Sequence, residues 1–312
     1  MNPTLLLTLV LLATFGLVGV VLSGLLALLW RGGLRLRGAT SLDLLGLRLL
    51  PSAGSLLIAL TVALPAFLTY EPHREHEAAG PLLLALAAFA TACLAHGLWR
   101  GWWACAAARS LLRHCLREAQ PGVGSGAELH MVDVAEPLVA LIGAWRPRIV
   151  ASESVRAACN PEEFREVLAH EAAHCATRDN LRLLMLVAAP DVIAWTRLGA
   201  RLTAGWRAAA EREADQRATG ADPERRLALA SALIKVARLV NRGDVSRPAL
   251  GMSVAVDDVS GRVRGLLAPP ARTARARLLP LLAACGLLLP LFAVPCHAVL
   301  HELLEQLVRF GR

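Results

Sequence analysis

From Thr4 to Trp30 the chain carries no charged side chain. An apolar run of that length can cross a bilayer with some tilt. In lipid every backbone polar group must find a partner, which a helix achieves by itself. Three more runs follow the same pattern: Leu49–Tyr70, Pro81–Trp99 and Leu278–Leu300. The second holds Pro51 and Pro65, the fourth Pro280, Pro290 and Pro295. Spanning helices tolerate proline because neighbours satisfy the freed carbonyls. The first run has no positive leader and is too long for a cleaved signal, so it is expected to anchor the chain. A mean hydropathy of +0.49 with 55% hydrophobic residues fits this picture. The expected fold class is a mostly α, polytopic membrane protein with four transmembrane helices, three of them within residues 1–100 and the fourth at 278–300.

Orientation follows from the flanks. Arg31, Arg35, Arg37 and Arg48 lie between runs one and two, against a single acid, Asp43. The next connection, EPHREHEAAG, is short and acidic. Arg100, Arg109, Arg113 and Arg117 follow run three, and Arg272, Arg275 and Arg277 precede run four. Cationic loops stay in the cytoplasm. Both termini, including the tail 301–312, are then extracytoplasmic, residues 101–277 are cytoplasmic, and the expected location is a bacterial inner membrane. Trp30, Trp99, Trp102 and Trp103 at inner ends and Tyr70 at an outer end suit interfacial belts. The net charge of +8 is explained by this asymmetry, and no basic patch with interleaved aromatics points to nucleic acid. Seven cysteines without a C-x-x-C pair argue against a disulfide framework.

Within the inner segment, AELHMVDV (127–134) and LVALIGAWRPRIVAS (138–152) predict two or three short strands with turns at Gly143 and Pro147. Asn160-Pro161-Glu162-Glu163 opens a helix to about Ala176, with Asn as N-cap and Glu at the third position. Asn180 is expected to cap a helix from Leu181 to about Ala200, packed on the domain or lying at the membrane surface. Helices are also expected at Leu202–Thr219 and Leu227–Val240. Residues 241–270 are expected to be rich in loops.

The first of these helices carries His170-Glu171-x-x-His174. Positions i and i+4 share a helix face, so the two imidazoles can hold one ion, and Glu171 stands beside them without having to ligate. Zinc would bring the pKa of a bound water towards about 7, and the carboxylate can take its proton. An amphipathic helix with solvent-facing histidines is the plain alternative. Phe164, Val167, Leu168 and Ala172 form an apolar stripe at helical spacing, so the helix is expected to be packed and its histidines to need partners. Downstream, AAAEREADQRA places Glu211 and Asp215 at i and i+4. Two histidines and one carboxylate leave a fourth position for water, as catalytic zinc requires. Glu213 projects to the opposite face, which favours Glu211 as ligand, and Asp215 could then fix a histidine tautomer. A solvated charged helix is the competing reading of that segment.

The strings WRPRIVAS, EVLAHEAAHCATRDNL and EREAD resemble the membrane-embedded BlaR/MecR-type zinc peptidases, in which glutamate is the third ligand. The resemblance implies a cytoplasmic, zincin-like (minigluzincin) α+β domain with one catalytic Zn2+, Glu211 as third ligand and Asp179 as a supporting residue. It also implies proteolysis of a protein substrate such as a transcriptional repressor, and it is compatible with a homodimer. After the fourth run only about a dozen residues remain, so the family's penicillin-binding sensor domain is not expected here. HtpX-type quality-control peptidases share the motifs. A non-catalytic receptor or scaffold retaining structural zinc is a third reading, although no persuasive fourth protein ligand is in view.

Cys175 points away from the histidine face and is expected to pack in the core. His130, Arg262 and Arg264 are candidates for stabilising the transition state, whereas VSGRVRGLL would otherwise be a juxtamembrane helix. An edge of the sheet at 127–152 is expected to hold substrate by strand addition. His73, His76, His297 and His301, with Glu302, suggest an outer metal site, against which stands a plain interfacial role.

Overall fold

A computed structural model describes residues 2–31, 38–70, 79–117, 120–122, 129–134, 136–240, 252–253 and 258–268. The fourth apolar run, the tail 301–312 and the outer histidines 73, 76, 297 and 301 lie outside the described residues, as do Arg35, Arg37, Arg272, Arg275 and Arg277.

Three described helices are long and apolar enough to cross a membrane: Pro3–Arg31, Ser41–Thr69 and Pro81–Leu116. The first is α1 (Pro3–Arg31). The second begins earlier than the apolar run because Thr40 and Asp43 form a capping box, the Thr40 hydroxyl accepting from the Asp43 N–H. This α2 (Ser41–Ile58) continues through a π-helical turn, Ala59–Ala63, into α3 (Leu64–Tyr70). The widened turn stands directly ahead of Pro65, which has no N–H to continue the ladder. The third, α4 (Pro81–Leu116), runs unbroken well past Trp99.

Two compact units emerge. One gathers Met1–Trp99 and Ala188–Ala204, the other Arg100–Val187 and Gly205–Ala274. In the first, a buried ion pair joins α2 to the inserted segment. Arg48 Nη1 donates to both oxygens of Asp191, at 2.7 and 3.0 Å, and Ser52 Oγ adds a third hydrogen bond at 3.2 Å. Asp191 Oδ1 also accepts from the Ala194 N–H at 3.0 Å. Charges this deeply buried persist only when paired and hydrogen-bonded.

The second unit is built on a five-stranded sheet in the order β1-β2-β4-β3-β5. Its strands are β1 (Gln120–Gly122), β2 (Leu129–Val132), β3 (Val139–Ile142), β4 (Arg148–Ser152) and β5 (Met252–Ser253). Only the β2–β4 pair is parallel. Gly143, at φ +104, supplies the backbone that the β3–β4 turn requires. The predicted strands all occur, but none is an edge. β1 and β5 flank them, so a substrate strand could add only at 120–122 or 252–253, not within 127–152.

Both faces of the sheet are covered, which is why every residue of β3 is buried. On one face Leu129, Leu141, Ile149 and Ala151 pack with Val155 of α5 (Glu153–Ala158), Val167 of α6 (Pro161–Thr177), and Ala232 and Val236 of α9 (Pro223–Val240). On the other, Val132, Ala140, Ile142 and Val150 meet Cys115, with Ala108, Leu111 and Leu112 of α4 around them.

The single helix expected over 181–200 is corrected. It is two elements, α7 (Asp179–Ala188) and α8 (Arg197–Thr219), with a 3₁₀ turn, Val192–Trp195, between them. Pro190 cannot donate a helical hydrogen bond, and Asp191 caps the new turn instead. Nor does Asn180 cap a helix: its Nδ2 donates to the carbonyls of Leu141 and Gly143 at 2.7 and 3.0 Å, tying α7 to β3. Residues 259–267, expected to be loop or juxtamembrane helix, form α10 (Val259–Leu267), whose first turn Asp258 caps at the Gly261 N–H.

Candidate metal centre

The cap predicted from sequence fixes where α6 begins and so which face its histidines share. Asn160 Oδ1 accepts from the Glu163 N–H at 2.8 Å, and Glu163 Oε2 accepts from the Asn160 N–H at 2.8 Å. Val167 is buried in the core, Phe164, Leu168 and Cys175 pack against it, and along the adjoining face of the helix His170, Glu171 and His174 are all buried as well. α6 ends at Arg178, the single non-glycine residue with positive φ among the described residues (φ 54). That left-handed step reverses the chain and brings Asp179 back beneath the histidines.

Both imidazoles are braced from behind. His174 Nδ1 lies 2.8 Å from Asp179 Oδ2, and Asp179 Oδ1 accepts from Arg182 at 3.1 Å. His170 Nδ1 lies 3.0 Å from Asp215 Oδ1 on α8. The two Nε2 atoms then face each other at 3.1 Å, the rings standing at 89°. Glu211 closes the group, its Oε2 3.3 Å from His170 Nε2 and its Oε1 3.7 Å from His174 Nε2. The ligand atoms of His170, His174 and Glu211 all lie within 4.8 Å of one another, the one such group among the described residues.

This arrangement fits a divalent cation. With each Nδ1–H donating to a carboxylate, the two Nε2 lone pairs oppose each other and need a positive charge between them. Two nitrogens about 2.0–2.1 Å from a tetrahedral zinc ion would be about 3.3 Å apart, close to the spacing found. The acids also outnumber the cations. Glu171, Asp179, Glu211 and Asp215 are buried, and Arg262 is the one buried arginine among them. Without an ion the cluster holds protons instead. Burial lowers the His174 imidazolium, but Asp179 and Glu211 outweigh it and push it up to about 10. Burial likewise raises Glu211, yet the two histidines and Arg262 hold it well below the usual carboxylate range.

Glu171 is different. It is 1% exposed and its Oε2 has no hydrogen-bond partner among the described residues. Burial pushes its carboxyl up, and the histidines pull against that without cancelling it. A buried carboxyl with an idle oxygen beside the candidate ligands is placed to exchange a proton.

Arg262 arrives from α10. Its Nη2 and Nε donate to the two oxygens of Asp215 at 2.6 and 3.0 Å, and its Nη1 lies 2.9 Å from Glu211 Oε2. The other two candidates part company with it. Arg264 turns to its own helix, Nε on the Ser260 carbonyl at 3.1 Å. His130 is buried on β2 opposite Val150 and is not part of the His-His-Glu group. Glu213 pairs with Arg217 at 3.5 Å, away from the ligand face, as its helical position predicts.

Residues 129–249 match the model of Peptidase family M48. The matched stretch includes β2 to β4, the histidine helix, Glu211 and Asp215, and it stops short of Arg262. No curated protein matches the chain. The match and the His-His-Glu group together support a metal-dependent peptidase.

Proposed function

We propose that this chain is an integral-membrane zinc endopeptidase that hydrolyses peptide bonds of a cytoplasmic or membrane-proximal protein, with His170, His174 and Glu211 as ligands and Glu171 as the catalytic acid–base. The observation that carries this reading is the pair of Nε2 atoms at 3.1 Å, closed by Glu211 and standing beside the buried carboxyl of Glu171. Zinc bound there would polarise the scissile carbonyl and acidify water. Glu171 would take the proton of the attacking water and return it to the leaving amine. Asp179 and Asp215 keep both imidazoles in the tautomer that presents Nε2. Arg262, a cation within reach of the same carboxylates, is suited to the oxyanion that develops on the carbonyl.

The arginine asymmetry supports a cytoplasmic catalytic domain with both termini outside, and the three apolar helices support the membrane placement. The substrate class rests on the strings WRPRIVAS, EVLAHEAAHCATRDNL and EREAD, which favour regulatory cleavage of a repressor-type protein. Two measurements test the reading. Glu171→Ala should retain stoichiometric zinc and lose casein cleavage, whereas His170→Ala should lose both; full activity in Glu171→Ala would refute the mechanism. In cells carrying Glu171→Ala, one accumulated intact regulator supports signalling, and a broad accumulation of damaged membrane proteins would replace it with quality control.

A further inference from the structure

Away from the metal centre, α4, the β3–β4 turn and α7 enclose a groove of about 300 Å³. That is the lower end of the range for ligand pockets, about 300–1,000 Å³. Cys105, Ala108 and Leu112 line one wall, Ala144 and Trp145 the turn, and Leu184 the floor. The polar groups are unequal in sign. Arg109 and Arg146 line it and no acid does. Arg113 extends the cationic row along the same face of α4 one turn on, and Arg109 and Arg113 are both exposed; Arg117 follows just past the helix end. The groove is held open in advance, because Asn180 ties α7 to the carbonyls of Leu141 and Gly143 that shape the turn.

We propose that this groove binds an anionic bilayer phospholipid, its acyl chain against Cys105, Ala108 and Trp145 and its phosphate between Arg109 and Arg146. Charge complementarity selects the headgroup, since these arginines have no acidic partner among the described residues. The position along α4 supplies the bilayer as source. Cys105 follows Trp102 and Trp103, which are 61% and 54% exposed, at the end of an apolar stretch long enough to cross a membrane. Indoles in that position mark a headgroup level, and the first groove residue lies only about 3 Å further along the helix axis at 1.5 Å per residue. Trp145, 69% exposed, presents an amphipathic ring at the same groove. The proposal rests on the membrane placement of α4 and is independent of the chemistry at the metal centre.

The full chain in nanodiscs tests it, with lipids brominated on the acyl chain and read as tryptophan quenching. The contribution of Trp145 is taken as the difference between wild type and Trp145→Phe, and that of the interfacial pair from Trp102→Phe/Trp103→Phe. Brominated phosphatidylglycerol should quench Trp145 at about a tenfold lower mole fraction than brominated phosphatidylcholine. Arg109→Glu/Arg146→Glu, changes at exposed positions, should bring the two lipids to parity. Ala144→Phe should reduce quenching of Trp145 by both. Trp102 and Trp103 should be quenched by either lipid in every variant. Quenching of the interfacial pair without quenching of Trp145, or equal quenching of Trp145 by the two lipids, overturns the groove assignment. No quenching of Trp102 and Trp103 overturns the membrane placement instead.

Discussion

Asp179 and His174 belong to different helices, yet their side chains meet at 2.8 Å because one left-handed residue, Arg178, separates them from a straight continuation. The carboxylate fixes the ring's tautomer and raises its basicity. Asp179→Asn should keep the fold and weaken zinc binding about 10–100-fold. Competition with a chelating dye, read alongside circular dichroism, checks this; unchanged affinity would remove Asp179 from the site.

Arg262 shares Glu211 and Asp215 with the histidines, so it stands beside the candidate metal ligands. Arg262→Ala should lower kcat about 10²–10³-fold, as loss of an oxyanion donor does, with zinc content preserved. Loss of zinc in parallel with kcat would make Arg262 a support for Asp215 and Glu211, not a group acting on the substrate.

Glu163 links α6 to α9 through Ser231 and Lys235, both at 2.6 Å. Burial raises its carboxyl, but the Lys235 and Ser231 hydrogen bonds outweigh it and hold the group below its ordinary value of 4.5. A depressed folded pKa adds stability above the unfolded pKa, and that stability is lost as pH falls through the folded value. Glu163→Gln should therefore melt lower at neutral pH and converge on wild type as the pH falls through that depressed value. Lys235 is 38% exposed, which limits the loss to about 1 kcal/mol. Differential scanning fluorimetry across pH reads it, and a gap that widened in acid would contradict the assignment.

The Arg48–Asp191 pair is expected to behave as a buried couple. Removing either partner leaves an uncompensated charge, so Arg48→Met or Asp191→Asn should each cost about 3–5 kcal/mol. The double variant should recover part of that loss. Thermal unfolding in detergent measures all three, and additive losses would show that the two charges act separately.

The residues that could be read from the chain in advance were those whose partners lie within a few positions. Asn160, Pro161 and Glu163 specify a cap locally, and the i, i+4 spacing of His170 and His174 needs only a helix. Glu211 and Asp215 were visible because their spacing repeats the same logic. Nothing near Arg262 in sequence distinguishes it from Arg264. Their fates are set by which face of α10 meets Asp215, a contact 47 residues distant. The break between α7 and α8 is hidden in the sequence for a related reason. Pro190 gave a local warning, but what holds the turn is Arg48, which reaches Asp191 from 143 residues away. The edges of the sheet were misjudged because β1 and β5 are too short to leave a hydrophobic pattern.

The reach of Arg262 to His170 spans 92 residues, and a ribosome imposes an order on it. Synthesis proceeds at about 5–20 residues per second, so the last arm of the site emerges roughly five to twenty seconds after the histidines. Early in that interval the nascent domain has its two imidazoles and Asp179; Glu211 follows before the midpoint, and the guanidinium comes last. A peptidase assembled in this sequence stays incomplete until nearly all of its catalytic domain has left the ribosome, and its own unfolded segments are safe from it for that time.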